Sequence, residues 1–496
     1  MGSVRQSHSP IIDVPNTILG GGDLMPHYAI PECDVGSPMW PRRVLRRRRF
    51  LRAGLVGALA QGSYHGRTAV AAPATTDLTV TRIDRVTVKV PFRPVPARNM
   101  ARELPHWKYS EICTVRLASG QLGHGETLLY YTPAAVSEEA VQRAQGQNAA
   151  SLMWDDSLGT GLQMALFDAV ARACDVPIHR LLGGQLYQQT PLSWWNIDTT
   201  VEDMASECRE AQRLGYLAYK TKGRPWFDIW AQMETAVQGL PPEFKIDMDY
   251  NDTLLTAEKG LPILKDLAEF PQTDIYETPI PQGDIAGNQA IRRATRVQIA
   301  MHYGNPRPRV AIQEGVCDGF VIGGGASRVM HQAHVAAMAE MPFWLQLVGT
   351  GITAAWSLHF GAVLKNATWP AVNCHQLYAH DLLTRRIKLT NGKAAIPTGP
   401  GLGYDINWEV VDRFRVDKPV RRPDPPRLVE TRWTDGRRMY FNHLAGVNFV
   451  VNPARRPGIV PYYERGVQTR LYSDDGTAQW KERYERSRQG PLLEKG

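Results

Sequence analysis

Short apolar runs that alternate with helical patterns most constrain the fold of this chain. Eight runs recur at intervals of roughly two dozen residues, as in repeated β/α units, near residues 192–197, 217–222, 244–250, 274–277, 297–302, 319–322, 343–348 and 369–373. Amphipathic patterns, such as 201–214, 257–268 and 326–341, separate most of them. Eight alternations predict a closed TIM-type barrel of the α/β class. The alternative, a doubly wound open sheet, does not explain reactive side chains at so many successive strand ends.

The barrel pattern occupies only part of the chain, and we place its bounds at residues 189–395. Before it, residues 75–188 combine period-two alternation at 78–90 with a helical face at 162–170, which predicts an α+β domain. After it, residues 396–496 form a C-terminal segment whose last part, from 416 onward, is an extension that begins rich in proline and arginine. Residues 1–74 form a leader.

Composition excludes several classes of protein. With 43% hydrophobic and 21% charged residues, the chain has the make-up of a soluble globular protein. The net charge of +8 is concentrated towards the two ends, since residues 1–73 alone hold nine basic and four acidic residues. We therefore expect no nucleic-acid partner. No later segment has the pattern of a transmembrane helix, and the six cysteines form no CxxC pair.

The leader predicts export. Arg47 to Arg52 is similar to a twin-arginine motif, and a short apolar run at 53–60 and small residues at 69–74 follow it. We expect a periplasmic or otherwise exported protein that is not inserted in a membrane once the signal is removed. The alternative is an arginine-rich disordered tail.

Charged residues stand where three consecutive barrel strands are expected to end. Lys220 and Lys222 close one strand, Asp249 closes the next, and Glu277 closes the one after. Side chains two apart on a strand share a face, so both lysines project towards whatever the carboxylates hold. Two ammonium groups beside a carboxylate-bound cation predict a lysine base with a lowered pKa, suited to removing a proton next to a carboxylate.

From about residue 76 to 415 the chain resembles the mandelate racemase/muconate lactonising branch of the enolase superfamily. The resemblance rests on motifs in a matching order: 165–168 leading into 181–183, 220–222, 249–251, 277–279, 322–324 and 397–403. It implies a modified (β/α)₇β barrel closed by an α+β capping domain, to which C-terminal residues contribute. It also implies three oxygen ligands for Mg²⁺, with Asp249 and Glu277 as ligands, Lys222 as the base and Lys220 as its neighbour.

One departure from the family concerns the third metal ligand. The fifth strand should end in a carboxylate, but His302 stands nearest that place. An imidazole ligand would shift preference from Mg²⁺ towards Mn²⁺ or another divalent ion. Two alternatives remain: His302 does not touch the metal and water completes the shell, or it is a buried structural histidine.

Other departures concern the opposite side of the barrel. Asp318 matches the aspartate of the racemases' Asp-His pair, but Gln346 stands where the histidine would align, and an amide cannot shuttle protons. Asn373 closes the last strand where relatives often carry glutamate. These changes disfavour two-base racemisation and leave Lys222 as a single base. Asn251, Gln346 and Asn373 are candidate substrate-binding residues.

The loop at 94–107 lies where the family's specificity loop lies, so we expect Arg102 and His106 to contact substrate. The predicted function is dehydration of a sugar acid, with a small-molecule carboxylate as partner and His302 helping hydroxide to leave. The enzymatic alternatives are an epimerase, a racemase or a cycloisomerase. The alternative from another class is a decayed barrel exported as a binding protein. We also expect a homo-oligomer.

Overall fold

The computed structural model describes residues 76–131 and 135–495. The predicted export signal lies outside these residues. The strands are β1 (Val80–Lys89), β2 (Tyr109–Leu117), β3 (Leu122–Leu128), β4 (Gln189–Trp195), β5 (Ala218–Lys222), β6 (Lys245–Asp249), β7 (Thr273–Glu277), β8 (Gln298–His302), β9 (Gly319–Ile322), β10 (Phe343–Leu345), β11 (Ala371–Val372), β12 (Leu389–Thr390), β13 (Lys393–Ala395), β14 (Leu428–Arg432), β15 (Arg438–Asn442), β16 (Gln468–Tyr472) and β17 (Leu492–Glu494).

Fifteen α-helices accompany these strands in the described part of the chain. They are α1 (Pro94–Glu103), α2 (Glu138–Ala144), α3 (Ala149–Leu152), α4 (Thr160–Ala173), α5 (His179–Leu182), α6 (Val201–Arg213), α7 (Ile229–Ala236), α8 (Ala257–Ala268), α9 (Ile285–Ala294), α10 (Pro308–Glu314), α11 (Ala326–Met338), α12 (Gly351–Val363), α13 (Trp408–Phe414), α14 (Val451–Ala454) and α15 (Ala478–Arg486). None of them has the length and hydrophobicity that crossing a bilayer requires.

The predicted barrel is confirmed. Strands β4 to β10 pair in parallel and in chain order, and β11 pairs in parallel with β4. A parallel bridge between Gln346 and Val372 joins the end of β10 to β11, so the ring of eight strands closes. Seven helices, α6 to α12, connect the eight strands, which is the (β/α)₇β arrangement. Because helices cover its outer face, β5 to β9 are buried along almost their whole length.

Local sequence explains where the barrel helices begin. The side chains of Thr200, Asp228, Thr256 and Asp284 accept a hydrogen bond from a backbone N–H in the first turn of α6, α7, α8 and α9, respectively. Each such cap contributes about 1 kcal/mol to helix stability. Each capped helix begins where the loop after a barrel strand ends. The caps therefore fix the length of the loops at the carboxyl ends of the strands.

The α+β domain before the barrel packs a three-stranded antiparallel sheet, β1 to β3, against α4. The contact is so close that a Cβ at Gly123 or Gly125 would overlap the backbone of α4. Buried Asp168 of α4 accepts hydrogen bonds from the N–H groups of His124 and Leu402. One carboxylate thus ties the sheet, the helix and the segment that follows the barrel together.

The extension forms a second sheet in the order β16-β14-β15-β17. Phe441, Phe449 and Val451 of the extension pack on Trp226 and Phe227. The two latter residues lie in the loop between β5 and α7. The sequence did not predict an ordered sheet in the extension. That sheet makes the loop after β5 part of a hydrophobic core.

Candidate active site

Strand register brings the predicted residues together at the carboxyl ends of the barrel strands. Lys222 pairs with Asp249, and Asp249 pairs with Glu277, across β5, β6 and β7. Residues on one rung of a parallel sheet point to the same face, so these three side chains meet. Lys220 lies two residues earlier and therefore points the same way from a deeper level. His302 ends β8, the next strand.

Each lysine is paired with one carboxylate. Nζ of Lys222 lies 2.5 Å from Oδ2 of Asp249 and 3.4 Å from Oδ1 of Asn251. Nζ of Lys220 forms an ion pair with Glu277, and both of these side chains are almost fully buried. The amide oxygen of Gln346 accepts a hydrogen bond of 3.2 Å from Lys220. The two lysines therefore differ: Lys220 is enclosed, while Lys222 stands nearer the cavity.

The pKa values of the two lysines shift in opposite directions. Burial lowers the pKa of Lys222; Asp249 opposes this shift, and the cations of Lys220 and Arg224 add to it. Burial also acts to lower the pKa of Lys220, but Glu277 and Asp249 outweigh it and raise that pKa. The pKa of Glu277 is lowered, because Lys220 and His302 together outweigh its burial. Lys222 is thus the easier of the two lysines to deprotonate.

A cavity of about 290 Å³ opens beside this group. Lys220, Lys222, Asp249, His302 and Gln346 line it. So do residues that the sequence reading left out, from the first domain, the barrel loops and the extension: Glu103, Tyr131, Trp195, Arg224, Val447, Asn448, Val451 and Arg455. Sequence offered a signal for two of them: Arg224 lies two residues after Lys222, and Glu103 lies in the loop at 94–107.

The candidate substrate-binding residues divide into two groups. Asn251, Gln346 and His106 line the cavity, and burial, with Arg422 adding to it, lowers the pKa of His106 to about 3. Asn373 is buried, and its amide donates to the backbone oxygen of Leu347 at 2.8 Å. Arg102 is also buried and bonds to Asn99 and to the backbone oxygen of Asp198.

Arg102 and Asn373 are not among the residues that line the cavity. The structure therefore departs from the sequence expectation for both. Because their polar groups bond within the protein, these two side chains tie segments of the protein together beside the cavity. Arg102 joins α1 to the loop after β4, and Asn373 joins the segment after β11 to the one after β10.

Asp318 lies outside the candidate site, contrary to the expectation from the sequence. It precedes β9, so it stands at the end of the barrel opposite the strand carboxyl ends. There its carboxylate accepts a hydrogen bond of 2.6 Å from Arg292 and one of 2.8 Å from the backbone N–H of Ile299. Asp318 is the expected type of residue, but it lies just before the start of β9, one strand length away from the carboxyl end where the site lies.

Two neighbouring carboxylates at the strand ends, those of Asp249 and Glu277, are available to a divalent cation. Within residues 76–131 and 135–495, no three histidine, cysteine, aspartate or glutamate side chains converge as a metal-binding group. His302 instead places Nε2 2.9 Å from Oε1 of Glu277. Asp249 and Glu277 do fit Mg²⁺, which is commonly held by one or two carboxylates with water and substrate oxygens completing six-fold coordination.

Residues 203–410 match the family described as "Enolase C-terminal domain-like". The barrel region of this chain belongs to the mandelate racemase/muconate lactonising branch of the enolase superfamily. Enzymes of this superfamily act by α-proton abstraction and generally use a divalent metal. The matched region holds all the strand-end residues from Lys220 to Asn373 and ends before the extension sheet begins.

The enolase-superfamily relatives differ in the reactions that their names give. An N-succinylamino acid racemase of Thermus thermophilus is 26% identical over 262 residues, 51% of this chain and 69% of the relative. A D-galactarolactone cycloisomerase of Agrobacterium fabrum is 26% identical over 300 residues, 56% of this chain and 78% of the relative. The muconate lactonizing enzyme structure from Pseudomonas putida aligns with a TM-score of 0.56 at 20% identity, covering 68% of this chain and 100% of that chain. The last comparison supports the fold alone.

Proposed function

We propose that this protein dehydrates a sugar acid by removing the proton next to its carboxylate. The observation that carries the proposal is the position of Lys222. It lines the cavity beside Asp249, and Glu277 lies on the same rung of the sheet, on the far side of Asp249. A base beside two carboxylates that suit a divalent ion is the arrangement needed to form an enolate from a carboxylate substrate.

Asp249 and Glu277 would hold the divalent ion, and we propose Mg²⁺ with water completing its shell. When bound, such an ion neutralises charge that develops on the substrate carboxylate. The chain's own residues do the rest. Lys222 in its amine form accepts the α-proton. Lys220 stays protonated against Glu277 and adds positive charge beside the developing enolate.

His302 is proposed as the acid of the second half-reaction. Its ring lines the cavity, and its side chain is 39% exposed while Nε2 contacts Glu277. A protonated imidazole gives its proton to the β-hydroxyl, the carbon–oxygen bond breaks, and water leaves as the Cα–Cβ double bond forms. The enol product then becomes a 2-keto acid by a proton shift, so atoms and charges balance.

A single base supports dehydration over two-base racemisation. Gln346 contacts Lys220 on the side where a second base would stand, and an amide carries no proton to exchange. An epimerase or cycloisomerase therefore stays the second choice, although the names of two relatives point to such reactions. We also propose export by the twin-arginine route and a homo-oligomeric state.

The proposal is tested by incubating the protein with Mg²⁺ and a library of acid sugars in D₂O. Nuclear magnetic resonance then follows deuterium at the α-carbon and formation of a 2-keto acid. Dehydration predicts a 2-keto acid for at least one substrate, with deuterium at the carbon next to its keto group. Deuterium at the α-carbon of the remaining substrate accompanies it wherever the enolate is re-protonated before hydroxide leaves. Exchange without keto acid would support an epimerase, and the absence of both would contradict the enzyme proposal.

A further inference from the structure

The C-terminal extension reaches the candidate active site. Val447, Asn448, Val451 and Arg455 line the same cavity as Lys220 and Lys222. They belong to one short stretch, residues 447–455, which includes α14. The family match stops at residue 410, before this stretch. The site of this chain is therefore enclosed by a segment that the matched family region does not contain.

The extension is fixed to the loops that carry the catalytic group. The hydroxyl of Tyr463 donates to the backbone oxygen of Gly223 at 2.9 Å and lies 2.6 Å from the hydroxyl of Thr253. The N–H of Gly466 donates to Asp228 at 2.7 Å, and Trp226 is fully buried under the extension's apolar side. These contacts hold the stretch at 447–455 over the mouth of the barrel.

Within the described residues, the guanidinium of Arg455 is bonded through Nε but not through its two terminal nitrogens. Its Nε donates to the backbone oxygen of Asn251 at 2.8 Å. Its terminal nitrogens have no hydrogen-bond partner among the described residues, and the nearest carboxylate, that of Asp252, lies 3.7 Å from Nε. Its side chain is 36% exposed and lines the cavity. The guanidinium thus presents unused donors to the cavity.

Charge in the cavity points to the ligand. Three cationic side chains line it besides the proposed base Lys222: Lys220, which is already paired with Glu277, Arg224 and Arg455. The carboxyl residues that line it are Glu103 and Asp249. Burial and the nearby Asp198 raise the pKa of Glu103 to about 8, so this carboxyl is mostly neutral at pH 7. A divalent ion at Asp249 would add further positive charge. A ligand with one carboxylate that meets this ion would leave the terminal nitrogens of Arg455 without a partner among the described residues.

We propose that Arg455 binds a second carboxylate of the substrate, so that the enzyme prefers dicarboxylates to monocarboxylates. This inference deepens the proposed function and rests on it for the first carboxylate. A guanidinium matches the planar carboxylate with two parallel N–H groups, a geometry that a lysine cannot supply. Asn251 couples the two ends, because its side chain contacts Lys222 and its backbone holds Arg455.

The test measures binding to the full chain with Mg²⁺ present, so it does not depend on turnover. Probes are matched pairs: succinate with butyrate, adipate with hexanoate, and galactarate with galactonate. Because a charged hydrogen bond contributes about 1.5–3 kcal/mol, the best dicarboxylate is expected to bind at least about tenfold tighter than its monocarboxylate partner. Arg455→Met should reduce this ratio to near one, and Arg455→Lys should give an intermediate ratio.

Arg456→Met is the matched control, since Arg456 is exposed and is not among the residues that line the cavity. It should leave the ratio unchanged. An equal loss in both variants, or no dicarboxylate preference in the unmodified chain, would overturn the inference. Tighter binding of 3-phosphoglycerate than of every dicarboxylate would overturn it in favour of a phosphate group. Lys222→Ala should keep the binding ratio while losing proton exchange, which separates this inference from the proposed function.

Discussion

Nζ of Lys222 lies 2.5 Å from Oδ2 of Asp249, at the carboxyl ends of two neighbouring parallel strands. The contact places a proton acceptor beside a side chain suited to hold a divalent ion. Glu277 shares the same rung, and Lys220 neutralises it from below. The proposed division of labour, with one lysine as base and the other as fixed charge, follows from this difference in burial and pairing.

Metal binding should depend on Asp249 and not on Asp318. Asp249→Asn removes a charged oxygen donor, so we expect loss of bound Mg²⁺ in calorimetric titration. Asp318→Asn is the matched control, because that carboxylate lies at the other end of the barrel against Arg292. Equal metal affinity in the two variants would contradict the assigned site.

His302 should be needed for loss of water but not for metal binding. His302→Asn removes the proposed proton donor, and we expect metal affinity and α-proton exchange to persist while 2-keto acid formation falls at least about 100-fold. The measurement is exchange and product formation in the same sample. Loss of Mg²⁺ in this variant would instead make His302 a metal ligand.

The buried pair of Lys220 and Glu277 should be costly to break. Lys220→Met leaves a buried carboxylate without its ammonium partner, so the free energy of unfolding in the absence of metal should fall by about 3–5 kcal/mol. Arg292→Met breaks a more exposed pair with Asp318 and should cost at most about 1 kcal/mol. Urea unfolding of both variants provides the comparison. Similar losses in the two would refute the assigned burial.

Glu103 should make stability depend on pH. Its pKa is raised from 4.5 to about 8 by burial and by Asp198, although Arg224 and Arg102 oppose the shift. A carboxyl with a raised folded-state pKa binds protons more tightly when folded, so its contribution to stability is lost as pH rises from about 4.5 to about 8. Glu103→Gln should flatten this part of the stability profile, measured by urea unfolding across that range. Glu258→Gln, on an exposed helical position, should leave the profile unchanged; a steeper profile in Glu103→Gln would count against the assignment.

Sequence predicted the barrel because its signal is local. Each strand is a short apolar run, and its last residues carry the chemistry, so Lys222, Asp249 and Glu277 could be placed on one edge before any contact was known. Positions that depend on packing between distant segments escaped prediction. Arg455 lies more than two hundred residues after Lys222, and only the docking of the extension sheet on Trp226 brings it to the cavity.

Two predicted site residues, Asp318 and Arg102, have a suitable residue type but lie in the wrong place for the predicted role. Asp318 stands before β9 instead of after it, and a parallel strand separates those two positions by the full depth of the barrel. Arg102 was expected at the substrate because it lies in the loop at 94–107, yet its guanidinium bonds to Asn99 and to the backbone of Asp198. In both cases a nearby protein partner uses the charge that the sequence assigned to catalysis or binding.

Proton exchange at the α-carbon is the most direct test of the central claim. With Mg²⁺ and an exchanging acid sugar in D₂O, Lys222→Ala should lower the exchange rate by at least about 1,000-fold, as loss of a catalytic base does, while Mg²⁺ still binds. Arg456→Met should exchange at the unmodified rate. Exchange that persists in Lys222→Ala at the unmodified rate would contradict the account, because another group would then be taking the proton.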